Sequence, residues 1–287
     1  MQWKRGVAAI SVLAFAAAST AARAGERVDL DNGWPAGWRR VGTEETWAIG
    51  GLSAASLALR LFLNAPDQPR WDSTIIFDES ARNALRASSE SGRSRAATFS
   101  NAAYVLTAVP FMVDAMFVTW LGHGQMDAAV QLALIDIETL AITTLMTTAL
   151  QRAVGRARPF LRECASNPNS DSDCAGSANN RNSSFISGHA SLAFSAATTL
   201  CVQHSRLSLY GSADPVVCPA ALTIAAGSSL LRVVADRHWI SDVIAGAVLG
   251  SAVGYVVSAV HLRENGSAPA GLTMGERGNS LVYWRAF

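Results

Sequence analysis

Apolar segments of helical length recur along the chain, and they constrain its fold more than any other feature. Residues 47–63 form the first, and 97–120, 126–150, 187–203, 216–234 and 243–261 follow, each set off by turn or loop chemistry. They predict an all-α fold, a helical bundle of about five to six main helices. Strand-like alternation is confined to 280–284 and is too short to change the class. In 287 residues such a bundle can bury a continuous core without a second domain.

Half the residues are hydrophobic and 16% are charged, between an ordinary soluble protein and a polytopic membrane protein. A spanning helix needs about twenty mostly apolar residues. Asp114 interrupts 97–120, Asp136 and Glu138 interrupt 126–150, and only 243–260 is an uninterrupted apolar run. Residues 1–24 read as a secretory signal, with Lys4 and Arg5, an apolar stretch, and Ala22-Arg23-Ala24 before Gly25. The expectation is an exported chain, a soluble periplasmic bundle in preference to one embedded in the inner membrane with its site on the periplasmic face. Residues 25–96 read as a lead-in with one apolar helix and a mobile loop at 88–95. Its first part, with Trp34 and Trp38, reads as surface, and Asp78 as the cap of a short helix. Residues 97–262 read as the main bundle and 263–287 as a C-terminal tail.

Removing Lys4, Arg5 and Arg23 from the 23 basic residues leaves 20 against 22 acidic ones, so no basic surface invites nucleic acid. Lys4 is the only lysine, so the permanent side-chain cations after residue 24 are all arginines. Cys164 and Cys174 bracket one polar loop, and Cys201 and Cys218 bracket another. Nearest-neighbour disulfides are the simplest of three connectivities, and neither pair has the histidine or cysteine company of a zinc site. His123, His204 and His261 read as solvent-facing. Asp136 and Glu138 point to different sides of their helix, toward arginines within the bundle or water outside it.

Three polar islands carry the chemistry. Arg152, Arg156 and Arg158 lie within seven residues at a helix end, with Pro159 as the stop, and offer forked donors suited to an oxyanion. Ser187-Gly188-His189 opens a helix whose free N–H groups, serine hydroxyl and close-approach glycine could cradle an anion beside a titratable imidazole. A serine cap followed by an ordinary histidine reads the same way. In the third island Arg232 lies six residues before His238, and Asp242 four after it. That spacing lets the carboxylate take one ring N–H and leave the other nitrogen as a nucleophile.

Together the islands resemble the signature of the type 2 phosphatidic acid phosphatases, bacterial class A acid phosphatases and vanadium haloperoxidases. That signature is lysine, six residues, Arg-Pro; then Pro-Ser-Gly-His; then Ser-Arg, five residues, His, three residues, Asp. Arg158-Pro159, Ser187-Gly188-His189, Arg232, His238 and Asp242 match it in order, within about 126–259. The resemblance implies a metal-independent phosphatase with His238 as nucleophile, Asp242 as its orienting carboxylate and His189 as the acid. Arg158, Arg232, Ser187 and Gly188 would hold the phosphate. Gln151 replaces the family lysine, Ile186 the proline and Leu231 the serine. With no lysine to substitute, Arg152 or Arg156 would have to reach in.

The implied substrate is a phosphomonoester, or a lipid phosphate or diphosphate, with membrane association a corollary of a lipid. No cofactor is implied. Two other readings remain: a vanadate-dependent haloperoxidase, in which vanadate fills the same pocket, and a phosphate-binding or lipid-phosphate-binding protein without turnover. The loop 161–182, pinned by Cys164 and Cys174, reads as a lid.

Overall fold

The structure, a computed structural model, describes residues 27–75 and 77–263 together with the backbone of two short strands, and the signal segment 1–24 lies outside the described residues. The helices are α1 (Thr43–Phe62), α2 (Asp78–Leu85), α3 (Glu90–Met112) and α4 (Met126–Val154). The short turns α5 (Leu161–Cys164) and α6 (Ala178–Arg181) follow, then α7 (Gly188–Arg206), α8 (Asp214–Val234) and α9 (Ile240–His261). α3 continues as π-helical turns over Val113–Gly122. The apolar segments thus all become helices, as the sequence predicts. Beyond the bundle, β1 (Leu272–Met274) pairs antiparallel with β2 (Leu281–Tyr283), where the tail alternates.

α7 is the central helix, packed against α4, α8 and α9. Its contact with α9 is made by small residues repeating every fourth position, which lie on one helical face. Gly246, Gly250 and Gly254 sit against the backbone of Ser187, Ser191 and Ser195. A Cβ on Gly246 would stand 2.7 Å from the Ser187 oxygen, and closer still at the other two. This seam holds the second island directly against the third.

Several expectations are corrected. The lead-in is core, because Leu30, Trp34, Trp38 and Val41 are buried in the main apolar cluster. It has no helical period because it closes the bundle end as irregular chain. Residues 88–95 are the start of α3, not a loop: Ser89 caps it by accepting from Gly92 N at 3.1 Å, and Arg93 donates to the Ser170 oxygen at 2.6 Å. His204 and His261 are buried, not solvent-facing. His204 bridges Asp214 and Asp114 at 2.7 and 3.0 Å, and His261 meets Glu138 at 3.2 Å. Asp136 accepts from Gln203 at 2.7 Å, so neither Asp136 nor Glu138 pairs with an arginine among the described residues.

The preference for a soluble bundle also gives way. Among the described residues, four stretches are long and apolar enough to cross a membrane: Glu90–Gly122, Met126–Val154, Gly211–Val234 and Ile240–His261. The acids that interrupt them point inward, while Phe62, Phe99, Leu106 and Phe117 stand exposed on outer faces. Apolar surface on this scale suits lipid contact. Both nearest-neighbour disulfides are present, Cys164–Cys174 and Cys201–Cys218.

Candidate active site

Gly155, not Pro159, ends α4. It takes a left-handed conformation at φ 59°, and its N–H bonds the Gln151 oxygen at 3.1 Å, a glycine C-cap. The three arginines of the first island then part company. Arg152, still helical, donates to Ser183 Oγ at 3.0 Å and lines a cavity of about 390 Å³. Arg158 lines the same cavity and donates to the Arg237 carbonyl at 3.2 Å. Arg156 turns into the core instead, stacked 3.9 Å from the Trp71 ring and donating to Asp78, Asp242 and Ser241 Oγ. With two buried carboxylates as partners it has no charge to spare for phosphate.

Gln151, in the family lysine's place, faces the cavity and donates to the Ile186 carbonyl at 2.9 Å. It ties the first island to the second and supplies no charge. Ser187 is fully buried, and its hydroxyl accepts from Ala190 N at 3.4 Å, so it caps α7 and does not line the cavity. Gly188 and His189 do line it, at the N-terminus of α7, where the helix dipole favours an anion.

His238 lies in the turn between α8 and α9. Asp236, at φ 60°, fixes that turn by accepting from Arg82 twice at 2.7 Å and from Arg86 at 2.7 Å. Nδ1 of His238 faces the Ser184 carbonyl at 2.8 Å. A carbonyl only accepts, so Nδ1 carries the proton and Nε2 keeps its lone pair. Asp242 Oδ2 stands 3.9 Å from Nδ1 and accepts from Ser184 Oγ at 2.6 Å and Trp239 N at 3.0 Å. The direct His-Asp bond implied by the spacing is thus replaced by a contact through Ser184.

His189 Nε2 lies 2.8 Å from Asn101 Oδ1, which also accepts from Arg232 at 3.4 Å. Tyr104 packs on the same ring at 5.1 Å. Burial, then Arg232 and Arg158, push the His189 imidazole down to about 3. Burial, then Arg158, Arg232 and His189, hold His238 well below its ordinary value, against the opposing pull of the Ser184 carbonyl. Burial and the neighbouring Arg237 lower Arg158 to about 10, which still leaves it charged at neutral pH. The site therefore holds two neutral imidazoles among charged arginines.

The profile of the PAP2 superfamily matches residues 132–265. This stretch is a PAP2 superfamily domain. Over 71 residues the chain is also 39% identical to the Lipid A 1-phosphatase of Porphyromonas gingivalis, a match covering 25% of this chain and 15% of that protein.

The PAP2 domain does not hold the whole site. Arg60 of α1 and Asn101 and Tyr104 of α3 come from outside residues 132–265, and sequence reasoning did not single them out. Arg60 and Asn101 carry one signal, being polar residues set in apolar helices. Ser183 and Ser184, next to the second island, were also missed, because their roles are made by oxygens that any serine presents.

Proposed function

We propose that the protein is a metal-independent phosphatase that transfers the phosphoryl group of a phosphate ester, a lipid phosphate or diphosphate, to His238 and then to water. The observation that carries this is the unprotonated Nε2 of His238 in a cavity shared by Arg158, Arg232, His189 and the N-terminus of α7. Phosphoryl transfer needs a positioned nucleophile and positive charge around the equatorial oxygens, and little else.

In this reading Arg158, Arg232 and the amides at Gly188 and His189 hold the phosphate. Nε2 bonds to phosphorus as the ester oxygen leaves, and the imidazolium that results is stabilised by the Ser184 carbonyl and by Asp242 behind it. The bound dianion offsets the arginines that depress His189, which lets that imidazole take a proton and pass it to the leaving oxygen. Water then attacks the phosphohistidine, with His189 as base.

The exposed apolar faces favour a lipid substrate, and the relative's printed name agrees with one. The lid disulfide and the Cys201–Cys218 bond support an exported protein in an oxidising periplasm, associated with a membrane. A generic phosphomonoester offered to the detergent-purified protein tests the activity, with turnover expected in the wild type and absent in His238→Ala. Equal rates in both would overturn the assignment.

A further inference from the structure

The signature contains His189 but no partner for its ring, and the residues that hold that ring come from α3, outside residues 132–265. Asn101 and Tyr104 stand one turn apart on this helix. Asn101 Oδ1 lies 2.8 Å from His189 Nε2, and the Tyr104 ring packs 5.1 Å from the imidazole. Helix packing fixes the contact. Ser100, next to Asn101, donates its hydroxyl to the Ser228 carbonyl at 2.8 Å, and Ser228 returns the bond to the Ser100 carbonyl at 3.0 Å. Both serines are fully buried, and Ser228 lies one turn before Arg232 on α8. This reciprocal pair sets the register of α3 on α8 and so brings Asn101 to both Arg232 and His189.

The two bonds at Asn101 decide where a proton sits. A guanidinium only donates, so the atom of Asn101 that faces Arg232 Nη1 at 3.4 Å is its oxygen. The same oxygen faces His189 Nε2, so that nitrogen carries a proton. Neutral His189 therefore keeps its lone pair on Nδ1. Among the described residues Nδ1 makes no hydrogen bond, and His189 lines the cavity together with His238.

We propose that Asn101 is a positioning residue for His189, holding the proton of Nε2 so that Nδ1 is the nitrogen that gives and takes the catalytic proton. This rests on the phosphatase reading and assigns its proton path. With the phosphate dianion bound, Nδ1 takes a proton from solvent. As His238 Nε2 bonds to phosphorus, the bond from phosphorus to the ester oxygen breaks, its electron pair stays on that oxygen, and the Nδ1 proton joins it. The alcohol leaves. Nδ1 then takes a proton from the water that attacks phosphorus, which frees His238 and inorganic phosphate. The sum is phosphate ester plus water giving alcohol plus phosphate, and the Nε2 proton stays in its bond to Asn101 throughout.

Two measurements on the full chain in detergent test this, and the first needs no turnover. With ¹⁵N-histidine at neutral pH, the resonances absent from His189→Gln belong to His189. In the wild type, Nε2 should show a bound proton protected from exchange with water, and Nδ1 the signal of an unprotonated nitrogen. Asn101→Leu removes the acceptor and should lose that protection, whereas Asn101→Asp keeps an acceptor and should retain it. A proton on Nδ1 in the wild type, or equal protection in Asn101→Leu, overturns the proposal. The second measurement compares leaving groups, because an alkoxide needs a proton to depart and a nitrophenolate does not. Asn101→Leu should lower kcat/KM for decyl phosphate about tenfold or more, and that for p-nitrophenyl phosphate less than about threefold. A merely structural role would lower both alike, so an equal fall in both overturns the catalytic part of the proposal. The expected spectra with no turnover of either ester uphold the hold of Asn101 on the Nε2 proton and overturn the phosphatase.

Discussion

Asp242 and His238 face each other across 3.9 Å, too far for a hydrogen bond, and Ser184 joins them. The Ser184 carbonyl takes the imidazole proton at 2.8 Å, and its hydroxyl donates to Asp242 at 2.6 Å. The carboxylate therefore acts on His238 at one remove, by charge and by holding Ser184. Asp242→Asn should lower kcat about 100-fold with little change in KM, since the charge matters most once His238 becomes positive. Ser184→Ala keeps the carbonyl and should cost less than about tenfold. Steady-state kinetics of the two variants check the order, and a larger loss in Ser184→Ala would contradict it.

Arg156 and Arg158 separate structure from chemistry. Arg156 lies between buried Asp78 and Asp242, so Arg156→Ala strands two carboxylates and should cost about 3–5 kcal/mol. Arg158 faces the cavity and has no ion-pair partner among the described residues, so Arg158→Ala should leave Tm near the wild-type value and abolish most of the phosphate affinity. Thermal unfolding beside phosphate titration distinguishes them.

The depressed histidines give stability a defined pH dependence. In the unfolded chain both take up protons as pH falls through about 6.5, whereas in the folded protein His189 resists to about 3 and His238 is likewise depressed. The unfolded state then binds more protons, so their contribution to stability is lost as pH falls below 6.5 and is constant above it. Urea midpoints measured from pH 7.5 to 4.5 should fall toward acid, and His189→Gln should flatten the slope. A ¹⁵N-histidine spectrum at pH 5.5 should show His238 still neutral.

How much of this was legible in the sequence depends on what each residue does with its neighbours. The bundle could be read because apolar runs of helical length, as at 187–203 and 243–261, allow few other structures. His238, His189, Arg158 and Arg232 could be read because a signature fixes their spacing. That Arg156 turns into the core could not be read, since its direction depends on how the chain turns after Gly155. Ser187 and Asp242 were placed near the chemistry, but their first bonds go to a helix cap and to Ser184. Asn101 and Arg60 are distant in sequence and reach the site only because α3 and α1 fold against it. The lead-in tryptophans looked exposed because irregular chain has no period to betray its burial.

The glycine seam makes its own prediction. Gly250 meets the Ser191 carbonyl so closely that any Cβ must push α9 from α7. Gly250→Ala should cost about 1–3 kcal/mol, and it should reduce activity as well, because the seam aligns His189 with His238. A Gly227→Ala control has open space and should do neither.

Cys164–Cys174 pins the loop 161–182, closing a loop of sequence separation 10. Its removal by paired serine substitution should cost about 2–3 kcal/mol. Asp171 and Asp173 pair with Arg237 beside His238, so a loosened loop should also raise KM. Denaturant midpoints and KM measured on the same preparation test both effects.

The central claim is covalent catalysis by His238, and trapping the phosphoenzyme tests it most directly. Substrate should be mixed with protein and quenched in alkali, which preserves phosphohistidine, and the digest sequenced by mass spectrometry. The account predicts one phosphoryl group on His238, absent from His238→Ala and accumulating in His189→Gln. Turnover with no phosphoenzyme, or with the phosphoryl group on any other residue, would contradict it.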